Sequence, residues 1–102
     1  MDKSQVLEKA TKYAELVSKE FKPQRILLYG SYVNGNWNEE SDIDIAVIVD
    51  EVHGDYLEIA SMLYRLRRNI DDRIEPVLLE DKADPSGFLT EILKHGQLIY
   101  MG

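Results

Sequence analysis

Residues 42–49 read "DIDIAVIV". From Ile43 to Val49 the run is β-branched except at Asp44 and Ala46, which predicts a strand buried along most of its length. Two carboxylates, Asp42 and Asp44, stand at its head. Side chains alternate across a strand, so both project from one face, with Cα atoms roughly 7 Å apart. Burying unpaired carboxylates is costly, so a cation or solvent must meet them at the strand's start.

Downstream, Tyr56, Ala60, Leu63 and Arg67 recur at helical spacing between about His53 and Asn69, with Leu57, Ile59, Tyr64 and Leu66 beside them. This predicts a helix with Tyr56, Ala60 and Leu63 in the core. "RIEPVLL" (73–79) reads as the next strand, weakened by Pro76. A β-α-β unit of this length predicts parallel strands joined by a right-handed crossover. Glu75 then lies at the same sheet edge as Asp42 and Asp44. It shares their face only if the register holds, because a slip of one residue turns it over. Val77 and Leu79 continue its face as core, as Ala46 and Ile48 continue that of the aspartates.

Upstream, residues 30–41 are polar and rich in Gly and Asn, a loop with room for one helical turn. "RILLY" (25–29) predicts a short buried strand. The connection to 42–49 is about a dozen residues without a crossover helix, so antiparallel pairing is simplest. That brings Gly30-Ser31 to the acidic edge. A helix is predicted over 4–21, with the stripe Val6, Ala10, Tyr13 and Val17 widened by Leu7, Ala14 and Leu16, a cap at Asp2 or Ser4, and Pro23 beyond its end. At the other end, Asp84 as cap and Pro85 in the first turn predict a helix to about Lys94, closed by Gly96. "QLIYM" (97–101) is a last strand. The order is α-β-β-α-β-α-β, a small mixed sheet with flanking helices, expected to form one domain over residues 1–102.

Composition narrows the function. The 102 residues contain no cysteine, so disulfides and thiolate metal sites are excluded. No apolar run approaches the roughly 20 residues of a membrane span, and the N-terminus has no long apolar centre of the kind a signal peptide carries. A cytoplasmic location is the expectation. A net charge of −7 argues against general nucleic-acid binding, but is compatible with a small anion held through metal ions.

Three converging carboxylates suit a pair of divalent ions, and oxygen-only ligands favour Mg²⁺ or Mn²⁺. Two such ions about 4 Å apart stabilise the attacking and leaving oxygens of an in-line phosphoryl displacement. Gly30 has no side chain to block a phosphate, Ser31 offers a hydroxyl, and a helical turn starting there points free N–H groups at an anion. The stretch is no P-loop, because no Lys-Ser/Thr follows the glycines. Plainer readings exist for each feature. The aspartates could be a solvated strand end, Gly30-Ser31 an ordinary turn, and "RLRRN" (65–69) a solvated helix end where cations suit the dipole. The crossover nevertheless returns Arg65, Arg67 and Arg68 to the acidic edge. Trp37 reads as a lid over local apolar surface or a partner contact, and His53 and His95 as surface residues.

The combination "GSYVNG", "SDIDIAV" and "RIEPVLL" resembles the minimal nucleotidyltransferases of the DNA polymerase β superfamily, of the type found in HEPN/MNT toxin–antitoxin pairs. The likeness runs over most of the chain, including "FLTEILKHGQLIYMG". It implies that Asp42, Asp44 and Glu75 bind two Mg²⁺ (or Mn²⁺) ions, and that Gly30, Ser31 and Ser41 hold a nucleoside triphosphate, ATP. It further implies transfer of AMP to an acceptor hydroxyl, with an acceptor site completed by a second chain, a HEPN-type helical toxin for which this protein is the antitoxin. Two departures stand out. The third acid is Glu75 followed by Pro76 instead of the more usual Asp, with Asp71, Asp72 and Glu80 less well placed. Asn34 also stands where many relatives carry Arg or Lys. They leave open an alternative, a binding module that neutralises its partner by contact alone.

Overall fold

The computed structural model describes residues 2–20, 22–38 and 40–102. The elements are α1 (Lys3–Glu20), β1 (Arg25–Tyr29), α2 (Ser31–Asn34), β2 (Ile43–Val49), α3 (Tyr56–Leu66), β3 (Ile74–Glu80), α4 (Phe88–His95) and β4 (Gln97–Met101). The four strands form one sheet in the order β3-β2-β1-β4. β2 and β3 are parallel, whereas β1 runs antiparallel to both β2 and β4. Both pairing expectations for β2 are met, and the order of elements is the one read from the sequence. Among the described residues no helix is long and apolar enough to cross a membrane.

Alternation along the strands divides the core in two. Ile26, Leu28, Ile43, Ile45, Val47, Ile74 and Leu78 pack with the α1 stripe and Leu63 of α3. The opposite face carries Leu27, Ala46 and Ile48 under Leu89 and Ile92 of α4. α4 has only eight residues and covers this second face incompletely, so Val77 and Leu79, expected as core, are half-buried. Pro76 is buried without breaking β3, because β3 is an edge strand with one side free of pairing demands.

Three helix starts differ from the sequence reading, each for a local reason. α1 is capped by Asp2, whose carboxylate accepts from Gln5 N–H at 2.8 Å while Gln5 returns the bond to Asp2 N–H at 3.0 Å; the predicted last residue, Phe21, lies outside the described residues. α3 starts at Tyr56 instead of 53, because the Asp55 side chain takes Leu57 N–H at 2.9 Å as its N-cap. Its far end tightens into a 3₁₀ turn over Arg67–Asn69. α4 begins at Phe88, not at Pro85: Gly87 turns the chain at φ 78°, and the Asp84 carboxylate reaches across the turn to accept from Leu89 N–H at 2.9 Å and Thr90 N–H at 3.1 Å.

The α3 stripe needs a correction of its own. Leu63 is buried and Ala60 half-buried, but Tyr56 is 43% exposed, its hydroxyl donating to the Leu78 carbonyl at 2.6 Å. A tyrosine can lie along a helix flank with its polar tip satisfied, which hydrophobic periodicity does not distinguish from full burial.

Candidate active site

The N-terminal edge of the parallel pair gathers the acids. Asp44 and Glu75 are direct partners in the β2–β3 register, and Tyr29 is Asp44's partner on the β1 side. The row Tyr29–Asp44–Glu75 therefore runs across three strands on the face that α4 leaves partly open. Asp42 is exposed one residue ahead of β2. Burial first, then Asp42, then Glu75 push the half-buried Asp44 carboxyl up to about 6. The sequence-based expectation that Glu75 shares the aspartates' face is thus met by the register.

Gly30 ends β1 and turns at φ 79°, ψ −148°, a region essentially reserved for glycine. A Cβ there would overlap Asp44 Oδ2 and stand 3.0 Å from Asp44 Cγ. Gly30 is therefore required twice, by its backbone angles and by the carboxylate pressed against it. Ser31 opens α2, whose Val33 and Asn34 N–H groups bond back to the Gly30 carbonyl at 3.1 and 3.0 Å. The N–H groups of Ser31 and Tyr32 are left without acceptors inside the turn. Ser41 closes the loop: its hydroxyl oxygen accepts from Asn38 N–H at 2.9 Å and its own N–H donates to Asn38 O at 3.1 Å. Trp37 stacks on Tyr32 with ring centroids 5.3 Å apart, the local lid expected for it. Gly30 and Asn34 also line a cleft of about 200 Å³ with Tyr29, Phe88, Glu91 and His95.

Glu75 is engaged at both oxygens. Arg67 Nη1 lies 3.4 Å from Oε1, and the Tyr64 hydroxyl donates to Oε2 at 3.2 Å. The same Arg67 nitrogen donates to the carbonyls of Asp72 and Ile74, both at 3.0 Å, and the guanidinium covers the Tyr64 ring at 4.9 Å. The end of α3 thus returns to the acidic edge, and among the described residues it is Arg67, of the three arginines in "RLRRN", that meets an acid there. Asp71 is occupied elsewhere. Burial would raise its carboxyl, but Lys9 at 2.7 Å and Arg73 outweigh that and hold it below its ordinary value. Glu80 accepts from Val52 N–H at 3.2 Å, at the far end of β3.

Periodicity did not single out Tyr29 and Tyr64 as site residues. Tyr29 precedes Gly30 and, in an antiparallel pair, had to lie near Asp44. Burial, then Asp44, Tyr64 and Glu75, push its phenol up to about 12, and its ring meets Phe88 edge-on at 5.7 Å. Helical spacing places Tyr64 beside the α3 stripe, yet the residue is 41% exposed and its hydroxyl reaches Glu75. Among the described residues no three His, Cys, Asp or Glu side chains are gathered closely enough to hold a metal ion as they stand. The donor chemistry of Asp42, Asp44 and Glu75 suits a divalent cation, because carboxylates offer only oxygens, and among the described residues Asp44 is repelled by two acids with no cation bonded to it.

Residues 11–101 match the family model described as Polymerase beta, Nucleotidyltransferase. The chain belongs to this nucleotidyltransferase family. A relative from Methanocaldococcus jannaschii, named "Putative protein adenylyltransferase MJ0141", is 30% identical over 77 residues, covering 74% of this chain and 77% of its own. A crystal structure of a "putative nucleotidyltransferase" from Sulfolobus solfataricus superposes with TM-score 0.71 at 18% identity, over 97% of this chain and 83% of that one. A crystal structure of a toxin–antitoxin with AMP-PNP gives TM-score 0.61 at 21% identity, over 90% and 73%. The polymerase-β-like nucleotidyltransferase fold explains why the acids and Gly30-Ser31 share an edge: β2 and β3 start where β1 ends.

Proposed function

We propose that this nucleotidyltransferase transfers AMP from ATP to a hydroxyl on a partner protein, acting as the antitoxin to a HEPN-type helical toxin in the cytoplasm. The observation that carries this reading is the contact of Asp44 with Gly30, in register with Glu75. It sets a carboxylate between a second acid and the backbone turn that would receive phosphate. Asp42 and Asp44 would hold Mg²⁺ or Mn²⁺, with Glu75 as the third ligand on the acceptor side. Bound there, the ions would supply charge neutralisation for the attacking and leaving oxygens. Ser31, the free N–H groups of α2 and Ser41 would hold the triphosphate. Gly30 lets it approach. A toxin–antitoxin among the structural neighbours supports a protein partner, and the net charge of −7 suits a basic one.

A second reading rests on one specific observation, the engagement of both Glu75 oxygens by Arg67 and Tyr64. If that arrangement persists with nucleotide bound, the module neutralises its partner by contact alone. Incubation with ATP labelled at the α-phosphate and Mg²⁺, with and without the product of the neighbouring gene, separates the two. Label on the partner supports transfer. Tight complex formation without label under any metal supports contact alone.

A further inference from the structure

Among the described residues, Tyr64 is the tyrosine whose hydroxyl is bonded to a carboxylate. Tyr13, Tyr32 and Tyr56 donate instead to the backbone carbonyls of Leu63, Asn38 and Leu78. Tyr64 donates to Glu75 Oε2 at 3.2 Å, and Glu75 is the register partner of Asp44. A general base must lie within hydrogen-bond reach of the proton it removes, and this pair meets that condition before any acceptor arrives. Tyr64 is 41% exposed, so its side chain borders solvent, and the Arg67 guanidinium over the ring at 4.9 Å supplies positive charge beside it. We propose that Tyr64 is an internal acceptor: the protein adenylylates its own Tyr64 in cis.

The proposal rests on the transferase reading above. In the step, Tyr64 Oη forms a bond to the α-phosphorus of ATP. The bond from that phosphorus to the bridging oxygen breaks, and its electron pair leaves with pyrophosphate. The phenolic proton passes to Glu75 and from there to water. The product carries a phosphodiester on Tyr64 in place of the hydroxyl that binds Glu75. A modified chain would therefore have its acceptor side blocked to a second hydroxyl, and self-modification would limit transfer to a partner.

The test is intact-mass and peptide mass spectrometry on the full chain incubated with ATP and Mg²⁺ or Mn²⁺. The expected result is a gain of one AMP on Tyr64, lost in Tyr64→Phe and in Asp44→Asn. The fractional rate should not depend on protein concentration. An ATP-dependent melting shift is recorded in parallel for wild type and Tyr64→Phe, to show that the variant folds and binds nucleotide. The proposal is overturned if the AMP maps elsewhere, if Tyr64→Phe is labelled equally, or if the fractional rate rises with protein concentration. Label on the neighbouring-gene product without label on this chain overturns self-modification alone and leaves the transferase intact. Absence of any metal- or ATP-dependent shift overturns both.

Discussion

Asp44 faces Glu75 directly across the parallel β2–β3 pair, and a Cβ on Gly30 would overlap the Asp44 carboxylate on its other side. A single carboxylate is thus fixed between an acid and a glycine turn. Most of the testable chemistry follows from that placement.

Asp44 carries a raised pKa, about 6 against an ordinary 3.8. Its stabilising contribution is complete below 3.8, where it is neutral in both states, and is lost as pH rises through about 6. The metal-free wild type should therefore be less stable than Asp44→Asn above pH 6, by about 1 kcal/mol once solvent screening of a half-exposed group is allowed for. The two curves should converge toward pH 4. Urea melts of both proteins across this range check it. With Mg²⁺ and ATP the order should reverse if Asp44 is a metal ligand, because only the ionised wild-type group would hold the metal; an Asp44→Asn protein that keeps the full ligand shift would exclude Asp44 as a ligand.

Gly30→Ala should cost about 2–3 kcal/mol, from the glycine-only backbone region and the collision with Asp44. The two causes separate in a double-mutant cycle. Adding Asp44→Ala removes the collision but not the backbone strain, so the paired change should be less damaging than the sum by about 1 kcal/mol. Strict additivity would mean that the carboxylate moves aside freely.

Ser31→Ala should leave stability within about 0.5 kcal/mol, as for other loop substitutions outside the core, while ATP binding weakens. Calorimetric titration with ATP and Mg²⁺, alongside a thermal melt, reads both. Unfolding without loss of affinity in the folded fraction would return Gly30-Ser31 to the status of a plain turn.

Arg67→Ala should act in two directions. The carbonyls of Asp72 and Ile74 lose a shared donor, which should lower stability by about 1–2 kcal/mol. Glu75 loses its cation, so Mn²⁺ affinity, followed by paramagnetic titration, should rise. Weaker Mn²⁺ binding in the variant would show that Arg67 holds Glu75 in place for the metal instead of competing with it.

The strands, the helices and their order were legible from local pattern alone, because apolar alternation and helical spacing are properties of neighbouring residues. Parallel pairing of β2 with β3 was legible too, since one helix between two strands leaves little else. The same holds for the shared face of Asp44 and Glu75, which follows from a period of two once the register is given. Boundaries depended on side chains reaching across a turn: Asp84 caps a helix that starts four residues later, and no periodicity reports that. The engagement of Glu75 by Tyr64 and Arg67 was also hidden. It arises where α3 crosses back over β3, residues 8 and 11 positions away in sequence. The sequence determined which groups reach the acidic edge; only tertiary packing decided which of them touch, because contact depends on how the end of a helix settles on a strand and not on the spacing within either.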